Sequence, residues 1–377
     1  FLFDVHATAV VPPSKLVETL AAIAASFPDA GSKSAAAVRE LIAAAAPDAN
    51  TRAIADALRQ SQAGSVLLGN SAVAHPQYSI IRALAGAIAD ACGATSGLLP
   101  EAANSVGGWL AGVLPHRGPA NGPVETAGRN ALEMVTKPHQ GYLLFGVEPE
   151  YDCWDAHAAG AALDAAEFVV SISPFASEST RAAADVLLPA GPFTETSGTF
   201  VNAEGRWQSF AGVATAAGDS RPGWKILRVL GNLFGLEGFD YTGSEQVRDA
   251  LREMTGNAAA GESREPGPVA AATATGGLER IGEITINSVD ALVRRAPALQ
   301  ATPDAEAASQ ARLNAAQADK SGVRDGYTVN VRQGDASVTM DIRIDERVPD
   351  GCAWIQAGTM AAAGLGALFG AVEIERI

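Results

Sequence analysis

Residues 184–210 read ADVLLPAGPFTETSGTFVNAEGRWQSF and carry the most specific pattern in the chain. A short apolar run is followed by a loop in which Thr, Glu, Ser, Asn, Gln and Arg are set among single Gly and aromatic residues. The apolar run predicts a buried strand, and the Gly and Asn residues behind it predict turns. Open α/β sheets bind their ligands beyond the carboxyl ends of their strands, which is where this polar loop falls.

Two interpretations of the loop stay open on residue chemistry alone: its side chains shape the backbone, or they bind a ligand. The glycines at 198 and 205 predict positive φ angles, and Asn202 predicts an Asx-turn. The candidate residues of the loop are Thr194, Glu195, Gly198, Asn202, Glu204 and Arg206.

Short apolar strands alternate with helices on the N-terminal side of this loop. Residues 65–70 predict a strand, and the helix predicted over 76–93 has Pro in its first turn and Gly at its end. Strand patterns recur at 141–149 and 167–173. This repetition predicts an α/β fold with doubly wound, mostly parallel sheets.

The C-terminal part of the chain changes its pattern. Residues 222–235 predict one more helix, with Ile226, Leu230, Leu233 and Phe234 in the core. Between Thr255 and Gly277 the composition becomes rich in Ala, Gly, Pro and Thr, and beyond Ser321 apolar residues alternate with a period of two. The predicted domains are an α/β region at 1–254, a linker and helix at 255–320, and a small β-barrel-like domain at 321–377.

Charge and cysteine usage exclude several classes of function. The net charge of −15 argues against a nucleic-acid partner, because phosphate binding needs clustered Lys and Arg. The three cysteines form no C-x-x-C pair, which argues against a disulfide framework and a four-cysteine cluster: Cys92, Cys153 and Cys352. The histidines show no metal-ligand spacing, and no metal site is predicted: His6, His75, His116, His139 and His157. A chain that opens with Phe1 and has no signal peptide is expected to be a piece of a longer polypeptide.

One uncharged run has to be weighed as a membrane span. Residues 352–372 carry no charge and include Gly366 and Gly370 at G-x-x-x-G spacing. The run is mostly Ala and Gly and is interrupted by Gln356 and Thr359, so its hydropathy is weak. We therefore expect it to be buried core, with no direct insertion into a membrane.

Beyond these local patterns, residues 184–210 resemble a signature of the molybdopterin oxidoreductase superfamily, which includes formate dehydrogenases and nitrate reductases. The resemblance covers most of the chain and implies parallel sheets of that type with a double-psi-type barrel. It extends through residues 66–77, 103–115, 143–149, 218–231 and 322–358.

Residues 290–305, DALVRRAPALQATPDA, are similar to a stretch of the large iron–sulfur subunit of bacterial NADH:quinone oxidoreductase, respiratory complex I. The resemblance implies the C-terminal half of such a subunit, whose N-terminal half binds 2Fe-2S and 4Fe-4S clusters. This half is then a non-catalytic scaffold without cofactor or metal, and the loop 194–206 is vestigial. The resemblance further implies that its partners are the N-terminal iron–sulfur domains and other peripheral-arm subunits, on the cytoplasmic side of the inner membrane.

The alternative is a cofactor-binding part of an active molybdopterin oxidoreductase, in which residues 194–206 and 146–149 line the pterin. The Ala-rich stretch at 255–320 stands where the barrel should open with strands of its own, which predicts that half of the cofactor cradle is missing. A nicotinamide dehydrogenase is a weaker alternative, because the chain lacks the glycine fingerprint of a dinucleotide loop.

Overall fold

The computed structural model describes residues 3–153, 155–256 and 277–377. The strands are β1 (Ser65–Leu68), β2 (Thr95–Leu98), β3 (Gly141–Phe145), β4 (Phe168–Ser173), β5 (Val186–Gly191), β6 (Gly198–Val201), β7 (Trp207–Phe210), β8 (Arg221–Pro222), β9 (Leu278–Ile281), β10 (Ala311–Leu313), β11 (Thr328–Gln333), β12 (Ala336–Ile344), β13 (Cys352–Trp354) and β14 (Phe369–Arg376).

The helices are α1 (Leu16–Ala25), α2 (Ala36–Ala44), α3 (Ala49–Gln60), α4 (Asn70–Val73), α5 (Tyr78–Cys92), α6 (Ser105–Ala111), α7 (Ala131–Thr136), α8 (Pro149–Asp152), α9 (Ala156–Asp164), α10 (Glu178–Ala183), α11 (Gly223–Leu233), α12 (Ser244–Thr255), α13 (Ala291–Arg294), α14 (Pro297–Gln300), α15 (Pro303–Ala308) and α16 (Ala315–Lys320). Short 3-10 helices lie at Pro13–Lys15, Pro119–Asn121, Phe193–Glu195 and Ile286–Ser288.

The chain divides into two compact units, and both are discontinuous in sequence. The first comprises Phe1–Leu99, Glu262–Thr285 and Pro303–Ile377, and the second comprises Pro100–Gly261 and Ile286–Thr302. The chain therefore leaves the first unit at residue 286 and returns to it at residue 303. The predicted α/β class, with parallel sheets and a C-terminal barrel, is confirmed.

The N-terminal part of the first unit is built around α5. Strands β1 and β2 pair in parallel, and α1, β1 and β2 pack against α5. Ile80, Ile81 and Leu84 of α5 are fully buried, which removes three large apolar side chains from water. The helix ends where Gly93 adopts a positive φ of 70°, as the sequence predicts.

The first unit also contains a closed barrel in the order β10-β12-β11-β14-β9-β13. The predicted hairpin is present: β11 and β12 pair in antiparallel fashion across the Gly334–Asp335 turn. The expectation that the barrel lacks strands from 255–320 is wrong, because β9 and β10 both come from that range. These strands have only four and three residues, so they show no alternating period in the sequence.

The charged side chain of Arg280 is buried in the barrel. Arg280 of β9 is 1% exposed and donates hydrogen bonds to Gln333 Oε1 at 2.8 Å and to the carbonyl oxygens of Gly366 and Ala367 at 3.0 and 3.1 Å. Burial lowers the pKa of its guanidinium to about 10, which still leaves it charged at neutral pH. Arg280 therefore fastens the loop before β14 to the barrel.

The uncharged run 352–372 forms part of the barrel. It contains β13, a loop and the start of β14, and it supplies fully buried side chains such as Ile355. Among the residues that the structure describes, no helix is long and apolar enough to cross a membrane.

The second unit is built on a four-stranded parallel sheet in the order β3-β4-β5-β8. Helices α8 and α9 connect β3 to β4, and α10 connects β4 to β5. The hairpin β6–β7 follows β5 as a separate two-stranded sheet. All four strands of the parallel sheet therefore end at the same edge, where the loops that follow them can meet.

Helix α11 forms where predicted, but its C-terminal end is not core. Leu233 and Phe234 are 77% and 76% exposed, which contradicts the prediction that they are buried. An amphipathic pattern indicates that a helix has an apolar face, and it does not indicate what covers that face.

The barrel core gives a direct test of packing. Ile342 of β12 has no exposed surface, so Ile342→Ala should lower the free energy of unfolding by about 2–5 kcal/mol through lost burial and a cavity. Ile377→Ala is the control, because that side chain is 73% exposed and should cost less than about 0.5 kcal/mol. Urea unfolding measures both, and equal losses would contradict this description of the core.

Candidate functional site

The polar loop 194–206 divides into two structurally different parts. At its start, the carbonyl oxygen of Thr194 accepts hydrogen bonds from the amides of Val213 and Ala214 at 2.8 and 3.1 Å. Glu195 lies in a 3-10 helix, and its Oε2 accepts from the amide of Ala217 at 3.2 Å. This part of the loop is held against the segment that follows β7.

The second part of the loop is the exposed tip of the β6–β7 hairpin. Asn202 Oδ1 accepts hydrogen bonds from the amides of Glu204 and Arg206 at 3.0 and 2.9 Å, which is the predicted Asx-turn. Gly205 has a φ of 77°, so its predicted positive φ is confirmed. Glu204 and Arg206 are 3.8 Å apart and largely in water, where such a pair contributes about 0–1 kcal/mol. These residues shape the turn.

Gly198 serves a different purpose from the predicted one. It lies in β6 opposite Phe210 of β7 and does not have a positive φ, so the predicted left-handed turn there is wrong. A Cβ atom at this position would lie 2.8 Å from the Phe210 ring. Phe210 also packs edge to face against Phe200, with 5.1 Å between ring centres. Glycine is needed here because an aromatic ring covers it.

A polar cleft of about 400 Å³ lies next to the first part of the loop, beyond the carboxyl ends of β5 and β8. Its walls carry hydroxyl groups, two carboxylates, one ammonium and one indole. The lining residues are Glu195, Thr196, Ser197, Gly212, Ala214, Pro222, Trp224, Lys225, Thr242, Gly243, Ser244 and Glu245.

Two backbones approach closely at this cleft, and several of its polar groups are fixed. A Cβ at Gly212 would lie 2.8 Å from the Thr196 amide nitrogen, so only glycine fits there. The Oγ atoms of Ser197 and Ser244 are 2.7 Å apart and share a hydrogen bond. This bond links the loop after β5 to the start of α12.

Trp224 and Lys225 begin α11 at the wall of the cleft. The Nε1 atom of Trp224 is buried, and within the described part of the chain it has no hydrogen-bond partner. The ammonium of Lys225 lies 5.5 Å from the centre of the Trp224 ring. A buried N–H without a partner is uncommon in native proteins, and a bound acceptor would satisfy it.

The carboxyl end of β3 is arranged differently, because the chain itself fills it. Glu148 follows β3 and is 1% exposed. Its Oε2 accepts hydrogen bonds from Arg294 at 3.0 and 3.2 Å and from Arg295 at 2.9 Å, and its Oε1 accepts from Arg295 as well. Asp152 Oδ1 accepts from Arg294 at 2.9 Å. Two carboxylates are therefore paired with two guanidinium groups.

The two arginines come from a short, well-capped segment. Asp290 Oδ1 accepts hydrogen bonds from the amides of Leu292 and Val293, both at 2.8 Å, and so caps α13. The side-chain amide of Gln300 donates to the carbonyl oxygens of Asn287 and Val293 at 2.7 and 2.9 Å. We call residues 286–302 the arginine clasp.

Glu148 is charged in this environment. Burial acts to raise the pKa of its carboxyl group, but the hydrogen bonds and positive charges of Arg295 and Arg294 outweigh burial and hold the pKa below its usual value. The same hydrogen bond to Glu148 raises the pKa of Arg295. Glu148 and Arg295 are therefore both charged at neutral pH.

The structure thus brings together only part of the predicted loop site. Glu195 reaches the cleft, whereas Asn202, Glu204 and Arg206 lie at the hairpin tip, outside the cleft lining. Sequence analysis missed the other members of the two sites, among them Trp224, Lys225, Ser244, Arg294 and Arg295. The two adjacent arginines that follow the helix-capping Asp290 could have indicated the second site from the sequence. The cleft residues show no comparable pattern.

A metal centre has no ligand set in the described ranges 3–153, 155–256 and 277–377. No group of three or more His, Cys, Asp or Glu side chains there is placed to hold a metal ion. Burial raises the pKa of Cys352 to about 12, which keeps that thiol protonated.

The fold and the cleft define an α/β protein with a polar cleft at the carboxyl edge of a parallel sheet. Residues 30–233, more than half of the chain, match the model of the molybdopterin oxidoreductase family. The chain belongs to the molybdopterin oxidoreductase family.

Curated proteins and a solved structure are also similar to this chain. Formate dehydrogenase-like proteins of Staphylococcus aureus strains USA300 and MRSA252 are 32% and 31% identical to it over 133 residues. That match covers 34% of this chain and 13% of the relatives, so the chain corresponds to a small part of them. Acetylene hydratase from Pelobacter acetylenicus has the same fold, with a TM-score of 0.66 and 14% identity over 97% of this chain and 71% of that chain.

The Asx-turn of the hairpin tip can be tested by a matched pair of variants. Asn202→Ala should lower the free energy of unfolding by about 1 kcal/mol, because two amides lose their acceptor. Asn202→Asp keeps the acceptor oxygen and should lose much less. If chemical denaturation gave equal losses for both variants, the turn bond would not be the cause.

The Glu148 network predicts a defined dependence of stability on pH. Because the pKa of Glu148 is lower in the folded chain than its usual 4.5, its stabilisation is present above pH 4.5 and is lost as pH falls through the folded value. Glu148→Gln should cost about 3–5 kcal/mol at neutral pH, since it leaves buried guanidinium groups unpaired. Below pH 4.5 the free energy of unfolding of Glu148→Gln should therefore vary less with pH than that of the unaltered chain. An unchanged profile would contradict the prediction.

Proposed function

We propose that this chain forms part of the cradle of a molybdopterin cofactor in an oxidoreductase similar to its formate dehydrogenase-like relatives. The observation that carries the proposal is the polar cleft beyond the ends of β5 and β8, in a chain of this family. Ligands of open α/β sheets bind at such edges. The relatives favour this function over the cofactor-free scaffold that the sequence resemblance implies.

The residues of the cleft fit the heterocyclic part of such a cofactor. A pterin ring presents hydrogen-bond acceptors and donors along its edge. The buried Nε1 of Trp224 needs an acceptor, and the hydroxyls of Thr196 and Thr242 can donate or accept. Lys225 shares the cleft with two carboxylates, so the cleft suits an uncharged ring better than a row of phosphates.

Each part of the cleft then has a limited task. Trp224 and the hydroxyl groups bind and orient the ring, and the hydrogen bond between Ser197 and Ser244 fixes the walls. The Lys225 ammonium, 5.5 Å from the centre of the Trp224 ring, adds a positive charge to the cleft. When bound, the cofactor would supply redox chemistry at its metal; the described residues include no group of three or more His, Cys, Asp or Glu side chains placed to hold a metal ion.

The test is the cofactor content of the full-length protein that contains this chain. Elemental analysis should give molybdenum, and oxidation to a fluorescent pterin should give pterin, both in proportion to protein. Trp224→Phe removes one donor worth about 0.5–1.5 kcal/mol, so pterin retention should weaken about two- to twelvefold. Lys137→Gln is the control, because Lys137 is exposed and is not among the residues that line the cleft. Folded protein without molybdenum or pterin would overturn the proposal.

A second candidate function is the non-catalytic scaffold of the large iron–sulfur subunit of an NADH:quinone oxidoreductase. The observation in its favour is the carboxyl end of β3, which is filled by Arg294 and Arg295 from the segment that resembles that subunit. In this function the partners are the iron–sulfur domains of the same polypeptide and other peripheral-arm subunits, on the cytoplasmic side of the membrane.

The scaffold function predicts a different outcome in the same protein. The purified complex should contain iron and acid-labile sulfide but no molybdenum. Turnover from NADH to quinone, normalised to flavin content, should be unchanged in Trp224→Phe. A large loss of normalised turnover with assembly intact would contradict the scaffold function.

A further inference from the structure

The carboxyl end of β3 has the chemistry of a site that recognises guanidinium groups. Glu148 and Asp152 present carboxylate oxygens to Arg294, with donor–acceptor distances of 2.9–3.2 Å. Arg295 donates to both oxygens of Glu148, which is the two-point geometry that a planar guanidinium makes with a carboxylate. A side chain that is 1% exposed forms the centre of this arrangement.

Aromatic rings complete the site on both sides. The guanidinium carbon of Arg294 lies 5.1 Å from the centre of the Tyr151 ring, and that of Arg295 lies 4.6 Å from the centre of the Phe175 ring. Both distances are within the range of cation–π attraction. Carboxylates at the edge and a ring over the face together favour a planar guanidinium, because an ammonium ion cannot donate two parallel hydrogen bonds to a carboxylate.

We propose that Glu148, Tyr151, Asp152 and Phe175 form a guanidinium site, and that the arginine clasp is its internal ligand. The site binds guanidinium cations as a class and is loaded in this chain by Arg294 and Arg295. This assignment requires neither of the functions proposed above.

The charges explain why the site holds its ligand. Glu148 and Asp152 form ion pairs with the two guanidinium groups, and Glu150 adds a further negative charge near Arg295. Removal of one arginine would leave negative charge in a place with little water, which is costly. A small guanidinium cation that enters the vacated place would therefore regain charge pairing, hydrogen bonds and the ring contact together.

The two arginines differ in access to solvent, and this difference selects the variant to use. The side chain of Arg295 is 34% exposed and that of Arg294 is 9% exposed. Loss of the Arg295 guanidinium therefore opens a place that a dissolved ion can reach, while Arg294 continues to pair with Glu148 and Asp152. Arg295→Ala is the variant of choice because it keeps half of the network.

The test is chemical rescue of Arg295→Ala in the full chain with methylguanidine, far below the molar concentrations at which guanidinium denatures proteins. Amide hydrogen exchange in residues 286–302 reports directly on the clasp. It should be at least about tenfold faster in the variant than in the unaltered chain. Methylguanidine should slow it again and raise the melting temperature, whereas methylammonium at equal concentration should do neither.

The control variant is Glu148→Gln combined with Arg295→Ala, in which methylguanidine should have no effect because the central carboxylate is absent. Equal responses to methylguanidine and methylammonium, or rescue that survives loss of Glu148, would overturn the proposal. If Arg295→Ala does not fold, Arg295→Lys takes its place. This variant keeps a positive charge but cannot make the two-point hydrogen bond to Glu148. Its amide hydrogens in residues 286–302 should still exchange faster than those of the unaltered chain. Exchange as slow as in the unaltered chain would contradict guanidinium selectivity.

Discussion

A carboxylate that is buried away from water must be paired with positive charges inside the fold. In the second unit this constraint comes from Glu148, whose side chain is 1% exposed. The side chain sits at the end of a parallel strand, where ligands of open α/β sheets usually bind. Here the counter-charges come from Arg294 and Arg295, about 146 residues further along the chain. Ion pairs of this kind stabilise little relative to an apolar core, but they strongly disfavour arrangements in which one partner is missing. The position of the arginine clasp is thereby specified.

The β5–β8 side of the same sheet differs from the β3 side, because none of the side chains that the structure describes fills it. Beyond β5 and β8 the polar groups surround a cleft, and Trp224 leaves a buried donor unsatisfied within the described residues. The carboxyl edge of this sheet therefore has one position that arginine side chains fill, beyond β3, and one open cleft, beyond β5 and β8. The open position supports a role in cofactor binding, and the filled position supports the scaffold function. A protein of this family could keep one without the other, because separate loops build them.

Local signals in the sequence were sufficient for much of the fold. The glycine that ends α5 and the Gly334–Asp335 turn between two alternating strands act over a few residues, so they can be read directly. The failures have a different origin. Strands β9 and β10 are too short to show a period, and the exposure of Leu233 depends on what packs nearby. The pairing of Glu148 with two distant arginines depends on the completed fold, and no local pattern encodes it.

The barrel has a consequence for the order of events during synthesis. Strand β9 pairs with β13 and β14, so residues 282–351 must leave the ribosome before its first barrel partner exists. An unpaired strand invites association with other chains, and charged side chains are a common protection against it. Glu279 and Arg280 supply such charges in β9. In the finished barrel Glu279 accepts hydrogen bonds from Ser14, and Arg280 is buried. Glu279 and Arg280 thus protect the unpaired strand from association during synthesis, and they stabilise the barrel through hydrogen bonds once it has closed.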